Sequence, residues 1–108
     1  MLFRSLRVSN VGSGPTTISV YFGDDPTPID TYILAAGEAL RKTYAGYNGG
    51  PLRVVSSAEP IMSTVRTLYG GGSYYEMTGL PNTLLSTQYW FPWYNNVAMD
   101  SELRIAVP

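Results

Sequence analysis

Turn chemistry interrupts this chain about every ten residues, a spacing that suits short strands and excludes a helix of ordinary length. The breaks are Gly12-Ser13-Gly14-Pro15, Gly23-Asp24-Asp25-Pro26-Thr27-Pro28, Gly37, Gly46-Tyr47-Asn48-Gly49-Gly50-Pro51, Ala58-Glu59-Pro60 and Gly70-Gly71-Gly72. Between them the pattern has period two. In 16–22, Ile18, Val20 and Phe22 alternate with Thr17, Ser19 and Tyr21, the signature of a half-buried strand. In 61–69, Ile61, Val65 and Tyr69 oppose Met62, Arg66 and Leu68. The predicted strands are 6–11, 16–22, 30–35, 39–44, 52–56, 61–69, 73–78, 87–94 and 101–107. The only helical signal is one turn over 80–85, where Pro81 suits a first helical position.

Eight or nine short strands with almost no helix predict an all-β fold, an Ig-like antiparallel β-sandwich of one domain, with a small closed barrel as the alternative. Ile18, Val20, Phe22, Leu34, Val54 and Val65 are the expected core. Gly49-Gly50 and Gly70-Gly71-Gly72 read as hairpin turns, since neither leads into a helix that could cradle a phosphate. Pro92 cannot donate to a ladder, so 88–94 is expected to end one sheet or to bend across to the other.

Two phrases nearly coincide. Leu6-Arg7-Val8-Ser9 and Leu103-Arg104-Ile105-Ala106 both run apolar, Arg, β-branched, small, at an offset of 97 positions (103 minus 6). An offset of one domain length points to a tandem array, with 6–108 holding about one repeat plus the first strand of the next. Residues 1–5 are set apart as a non-native leader. Both phrases would then be the same strand of successive repeats, competing for one place in a sheet.

Composition narrows the function classes. Of the 108 residues 14% are charged, against about 25% in ordinary soluble proteins. Seven basic and eight acidic residues give a net charge of −1 with no basic stripe, which argues against nucleic acid as a partner. No apolar run approaches the roughly 20 residues of a membrane-spanning helix, and the first residues lack a signal peptide's apolar core. Membrane insertion is therefore not expected. Low charge with nine tyrosines and many hydroxyls suits an extracellular or cell-surface β-protein. The absence of cysteine fits a bacterial one better than a small secreted animal domain.

The chain also lacks histidine, which removes the commonest general base and metal ligand. No pair among its eight acids stands out by spacing as a two-carboxylate glycosidase site. The expectation is no enzyme, no cofactor and no metal. Asp24, Asp25 and Asp30 could bring oxygens to a calcium ion, but such aspartates also favour turns, and the alternating spacing of an EF-hand is missing. Asp100 and Glu102 share a strand face with Arg104, so a salt bridge to Arg104, or to an arginine on a neighbouring strand, is expected there rather than a metal. Arg7, Arg41, Arg53, Arg66 and Arg104 fall inside predicted strands and read as edge protection and cross-strand pairing.

The densest candidate is aromatic. Tyr89, Trp90, Phe91, Trp93 and Tyr94 fall within six residues. Such rings either pack in a core or against a neighbouring repeat, or they stack on a sugar or a protein partner. Packing is the first expectation, with at least one tryptophan deeply buried, so that its truncation would cost roughly 3–5 kcal/mol. Tyr89, Trp90, Trp93 and Tyr94 are the candidate residues for ligand or inter-repeat contact.

The run Tyr89-Trp90-Phe91-Pro92-Trp93-Tyr94-Asn95-Asn96, with Met77-Thr78-Gly79-Leu80-Pro81 before it and Asp100-Ser101-Glu102-Leu103-Arg104 after it, resembles uncharacterised tandem β-sandwich repeats of long secreted or surface-attached bacterial proteins. The resemblance covers most of the chain from Leu6 onward. It implies the sandwich, the repetition and an extracellular or cell-surface location, and transfers no catalytic residue. The function so implied is a non-catalytic structural or adhesive repeat module, whose partners are neighbouring repeats and possible glycan or surface-protein ligands. The alternative is a carbohydrate-binding module using residues 89–94.

Overall fold

The structure, a computed structural model, describes residues 3–68, 70–98, 101 and 103–108. Seven strands are found among them: β1 (Phe3–Asn10), β2 (Thr16–Phe22), β3 (Asp30–Leu34), β4 (Ala39–Lys42), β5 (Leu52–Ser56), β6 (Ile61–Leu68) and β7 (Tyr74–Thr78). They form two sheets, β4-β1-β6-β7 and β3-β2-β5, antiparallel throughout. The fold is an all-β sandwich of a single domain. β1 lies between β4 and β6 in one sheet and β2 between β3 and β5 in the other.

The core is built from strand alternation. Leu6 and Val8 on β1 point toward Ile18 and Val20 on β2 and Leu34 on β3, and these five are the buried apolar cluster. Val54 and Val65 pack against the cluster but are only partly buried. Phe22, expected inside, is also partly buried. It lies at the end of β2 and meets the Tyr47 ring at 5.0 Å between centroids. Three strands cannot cover four, and β7 is left uncovered: Met77, on the inward face beside Val65, is exposed.

One end of the sandwich is tied by side chains. Asn10, almost fully buried, ends β1. Its Oδ1 accepts from the Gly12 N–H at 2.9 Å, and its Nδ2 donates to the Gly14, Leu34 and Ala35 carbonyls at 2.8, 3.2 and 3.1 Å. The Thr16 hydroxyl accepts from the Ala58 and Glu59 N–H groups at 3.1 and 3.2 Å. The Glu59 carboxylate accepts from the Ser13 N–H and fills the space where a Cβ on Gly12 would stand. Three loops are thereby tied together by hydrogen bonds, because buried backbone groups must find partners.

Three expectations need correction. Gly49-Gly50 is not a hairpin turn: β4 pairs with β1 and β5 with β2, so 43–51 crosses between sheets. Gly70-Gly71-Gly72 does connect the antiparallel pair β6–β7, with Gly71 and Gly72 at φ of 83° and 84°. Segment 87–94 forms no strand, and 103–107 lies in no ladder. Pro92 lacks an N–H, and large aromatics on both faces of 89–94 leave that segment no single face to bury. The predicted helical turn is a 3₁₀ turn over Asn82–Leu84. Tyr69, Asp100 and Glu102 lie outside the described residues.

Candidate functional site

The aromatic segment is held locally by its own polar groups. Tyr89 curls back on the preceding turn: its hydroxyl accepts from the Ser86 N–H at 2.7 Å and donates to the Leu84 carbonyl at 3.2 Å. The Tyr94 hydroxyl donates to the Ser101 carbonyl at 3.0 Å. Asn95 Oδ1 accepts from the N–H groups of Val97 and Ala98 at 2.9 and 3.2 Å, and the Ser101 hydroxyl donates to the Asn95 carbonyl. The tyrosines and Asn95 thus act as clamps on the chain that carries the rings. Such side-chain-to-backbone bonds replace a ladder where none forms.

Against expectation, neither tryptophan is buried. Trp90 is 86% exposed and Trp93 72%, with Phe91 and Tyr94 also open. The two-sheet core is already filled by β1 to β6, and no strand in 87–94 carries these rings into it. The clamps therefore present two indole rings to solvent. Indole faces of this kind can stack on a sugar face or be covered by another protein surface.

A second cluster closes the β3–β4 edge of the sandwich. Asp30 at the start of β3 accepts from Lys42 Nζ at 2.8 Å and from the Tyr44 hydroxyl at 2.7 Å. Lys42 Nζ also lies 4.3 Å from the centre of the Tyr32 ring. The Lys42 hydrogen bond, outweighing burial and aided by Tyr44, holds the Asp30 carboxyl below the usual carboxylate range. Burial first, and then Asp30, push the Tyr44 hydroxyl well above the usual phenol range, and Tyr32 moves the same way for the same reasons. The Tyr32 hydroxyl is buried without a hydrogen-bond partner, alone in this respect among the described residues. The sequence places Asp30 at the start of a strand and groups it with Asp24 and Asp25 only as a possible calcium ligand. Its position at a strand start, twelve residues before a lysine that also belongs to a strand, was the available signal.

This cluster is a latch between sheets. Asp30 is committed to Lys42 and Tyr44, while Asp24 and Asp25 are exposed, and Asp25 accepts from the Thr27 N–H at 2.9 Å in a local turn. No group of three or more acidic residues stands close enough to hold a metal ion among the described residues. No helix among them is long and apolar enough to cross a membrane. The arginines divide. Arg66 pairs with Glu76 across β6–β7 and lies over Tyr74, Arg53 over Tyr21 and Arg104 over Tyr75. Arg7 and Arg41 instead stand directly opposite each other on β1 and β4.

Comparison of the chain with known protein families, with characterised proteins and with solved structures returns no match.

Proposed function

We propose that the chain is a non-catalytic structural or adhesive repeat module of a bacterial extracellular or cell-surface protein, with neighbouring repeats as its principal partners. One observation carries this reading. The phrase 103–107 has the alternation of β1, yet it lies in no ladder among the described residues and leaves Leu103, Ile105 and Val107 exposed. In an array it would be the β1 of the next module, with that module's β4 and β6 on its two sides. The open faces of Trp90 and Trp93, a short way before it in the chain, suit the seam between such modules. Low charge and hydroxyl-rich strands suit a surface exposed outside the cell.

The test is a fusion of two copies in register, with Leu6 of the second copy where Leu103 stands. The expected result is a higher melting temperature than one copy shows, with tryptophan emission shifted to the blue as the rings leave water. A fusion that melts and fluoresces as one copy does would refute the array. A second reading rests on the exposure of the tryptophans alone: a carbohydrate-binding module using Tyr89, Trp90, Trp93 and Tyr94. Retention on a glycan array that is lost in Trp90→Ala and Trp93→Ala would favour it.

A further inference from the structure

The outer face of the larger sheet carries a feature unconnected with the aromatic segment. Side chains opposite one another on paired strands share a face, and Leu6 and Val8 point inward, so Arg7 points outward. Arg41 is its partner across β1–β4 and Thr64 its partner across β1–β6. One step along the strands, Ser5 stands opposite Arg66. Together with Glu76 these residues line a shallow depression on the sheet. Glu76 is its one acid and is engaged by Arg66 at its rim. No acidic partner for Arg7 or Arg41 is present among the described residues.

Two guanidinium groups directly opposite on neighbouring strands repel each other, at a place where an Arg–Glu pair would have stabilised the sheet. Their Cβ atoms stand about 5 Å apart by the geometry of such pairs, which lets both forks reach one oxyanion from two sides. The Thr64 and Ser5 hydroxyls border the same point and add donors. We propose that this face binds a carboxylate or sulfate group of an acidic polysaccharide, with Arg7 and Arg41 as the two forks and Arg66 beside them. A shallow open face cannot enclose a small molecule, so the fit is to a polymer that repeats the anion along its length and can present any one of its copies to the two forks. Nucleic acid suits the face poorly. Binding its dense phosphates gains from neutralising many charges at once, and this face offers three arginines on a chain of net charge −1.

The test is affinity electrophoresis of the 108-residue chain through gels holding polygalacturonate, heparin, neutral dextran or single-stranded DNA. The two acidic polysaccharides separate carboxylate from sulfate. Both arginines are exposed, so Arg7→Gln/Arg41→Gln should fold and, with the repulsion removed, melt no lower than the parent. The expected result is retention by polygalacturonate or heparin, weakened at least about tenfold in the double variant, a difference of 1.4 kcal/mol. Arg53→Gln on the other sheet should behave as the parent, and dextran should not retain the chain. Equal retention of parent and double variant, retention by DNA alone, or no retention on any gel would overturn the proposal.

Discussion

Val8 and Ile105 occupy the same place in two nearly identical phrases, and the structure treats them oppositely. Val8 has no exposed surface, whereas Ile105 is 83% exposed. Their neighbours in sequence match: Leu6 and Leu103, Arg7 and Arg104. Their neighbours in space do not. β1 is hydrogen-bonded on both edges, to β4 and to β6, and its inward face meets Ile18 and Val20. Segment 103–107 lies in no ladder among the described residues, and Leu103, Ile105 and Val107 are exposed. Alternation makes a phrase able to be a strand. A neighbouring strand to bond with makes it one, and strands on both edges with an opposing sheet make it a buried one, because backbone donors need partners and an apolar face needs cover.

The largest effect should separate the two phrases outright. Val8→Asp places a carboxylate in the sealed core and should unfold the domain, costing more than about 4 kcal/mol, while Ile105→Asp should stay within about 0.5 kcal/mol of the parent in urea titrations. Comparable losses in both would mean that 103–107 is packed after all.

A pair of asparagines sharpens the same contrast. Asn10 and Asn95 each accept from the N–H two residues on, at 2.9 Å. Asn10 also supplies three carbonyls from a buried position. Asn10→Ala should cost about 2–3 kcal/mol, because unpaired carbonyls are left behind, and Asn95→Ala about 1 kcal/mol or less. Equal midpoint shifts in chemical denaturation would break the comparison.

The Asp30–Lys42–Tyr44 latch should give a smaller, pH-dependent effect. Asp30 titrates lower in the fold than in the open chain, so its contribution is present above the unfolded carboxyl value, about 3.9, and is lost as pH falls through the depressed folded value. Tyr44 titrates higher, so its contribution is complete below the unfolded phenol value, about 10, and is lost as pH rises toward the folded one. Asp30→Asn should cost about 1 kcal/mol at pH 7 and flatten the acid limb of the melting-temperature profile. A profile as steep as the parent's would assign that limb to other acids.

The smallest effect falls on the residues that looked most structural in sequence. Trp90→Ala and Trp93→Ala in the single chain should each change stability by no more than about 0.5 kcal/mol, as expected of exposed side chains. Either one lowering stability by the roughly 3–5 kcal/mol of a buried aromatic would return the segment to the core.

Much of the sandwich was legible from local chemistry. Residues 16–22 and 52–56 were bounded to the residue as β2 and β5, since strict alternation and flanking Gly, Pro and Ser act within a few positions. Ile18, Val20 and Leu34 were identifiable as core for the same reason. The failures share one cause. Strand pattern in 87–94 and 101–107 measures what a segment could do, and nothing local reveals whether a sheet edge is there to receive it. The role of Asn10 was hidden because its partners at Leu34 and Ala35 lie 24 and 25 residues away. The Asp30 latch was hidden because Lys42 belongs to the other sheet.

The sequence by itself determined the class of object: many short strands, no long helix, no disulfide, and an apolar face on each central strand. These follow from backbone preference and side-chain period, which act over a few residues. The tertiary structure decided which strands are neighbours, and so which of two matching phrases is buried, which loop crosses between sheets, and which arginines face each other unpaired. Those outcomes depend on contacts between residues far apart in the chain, where burial and hydrogen bonding are settled by what lies across the gap.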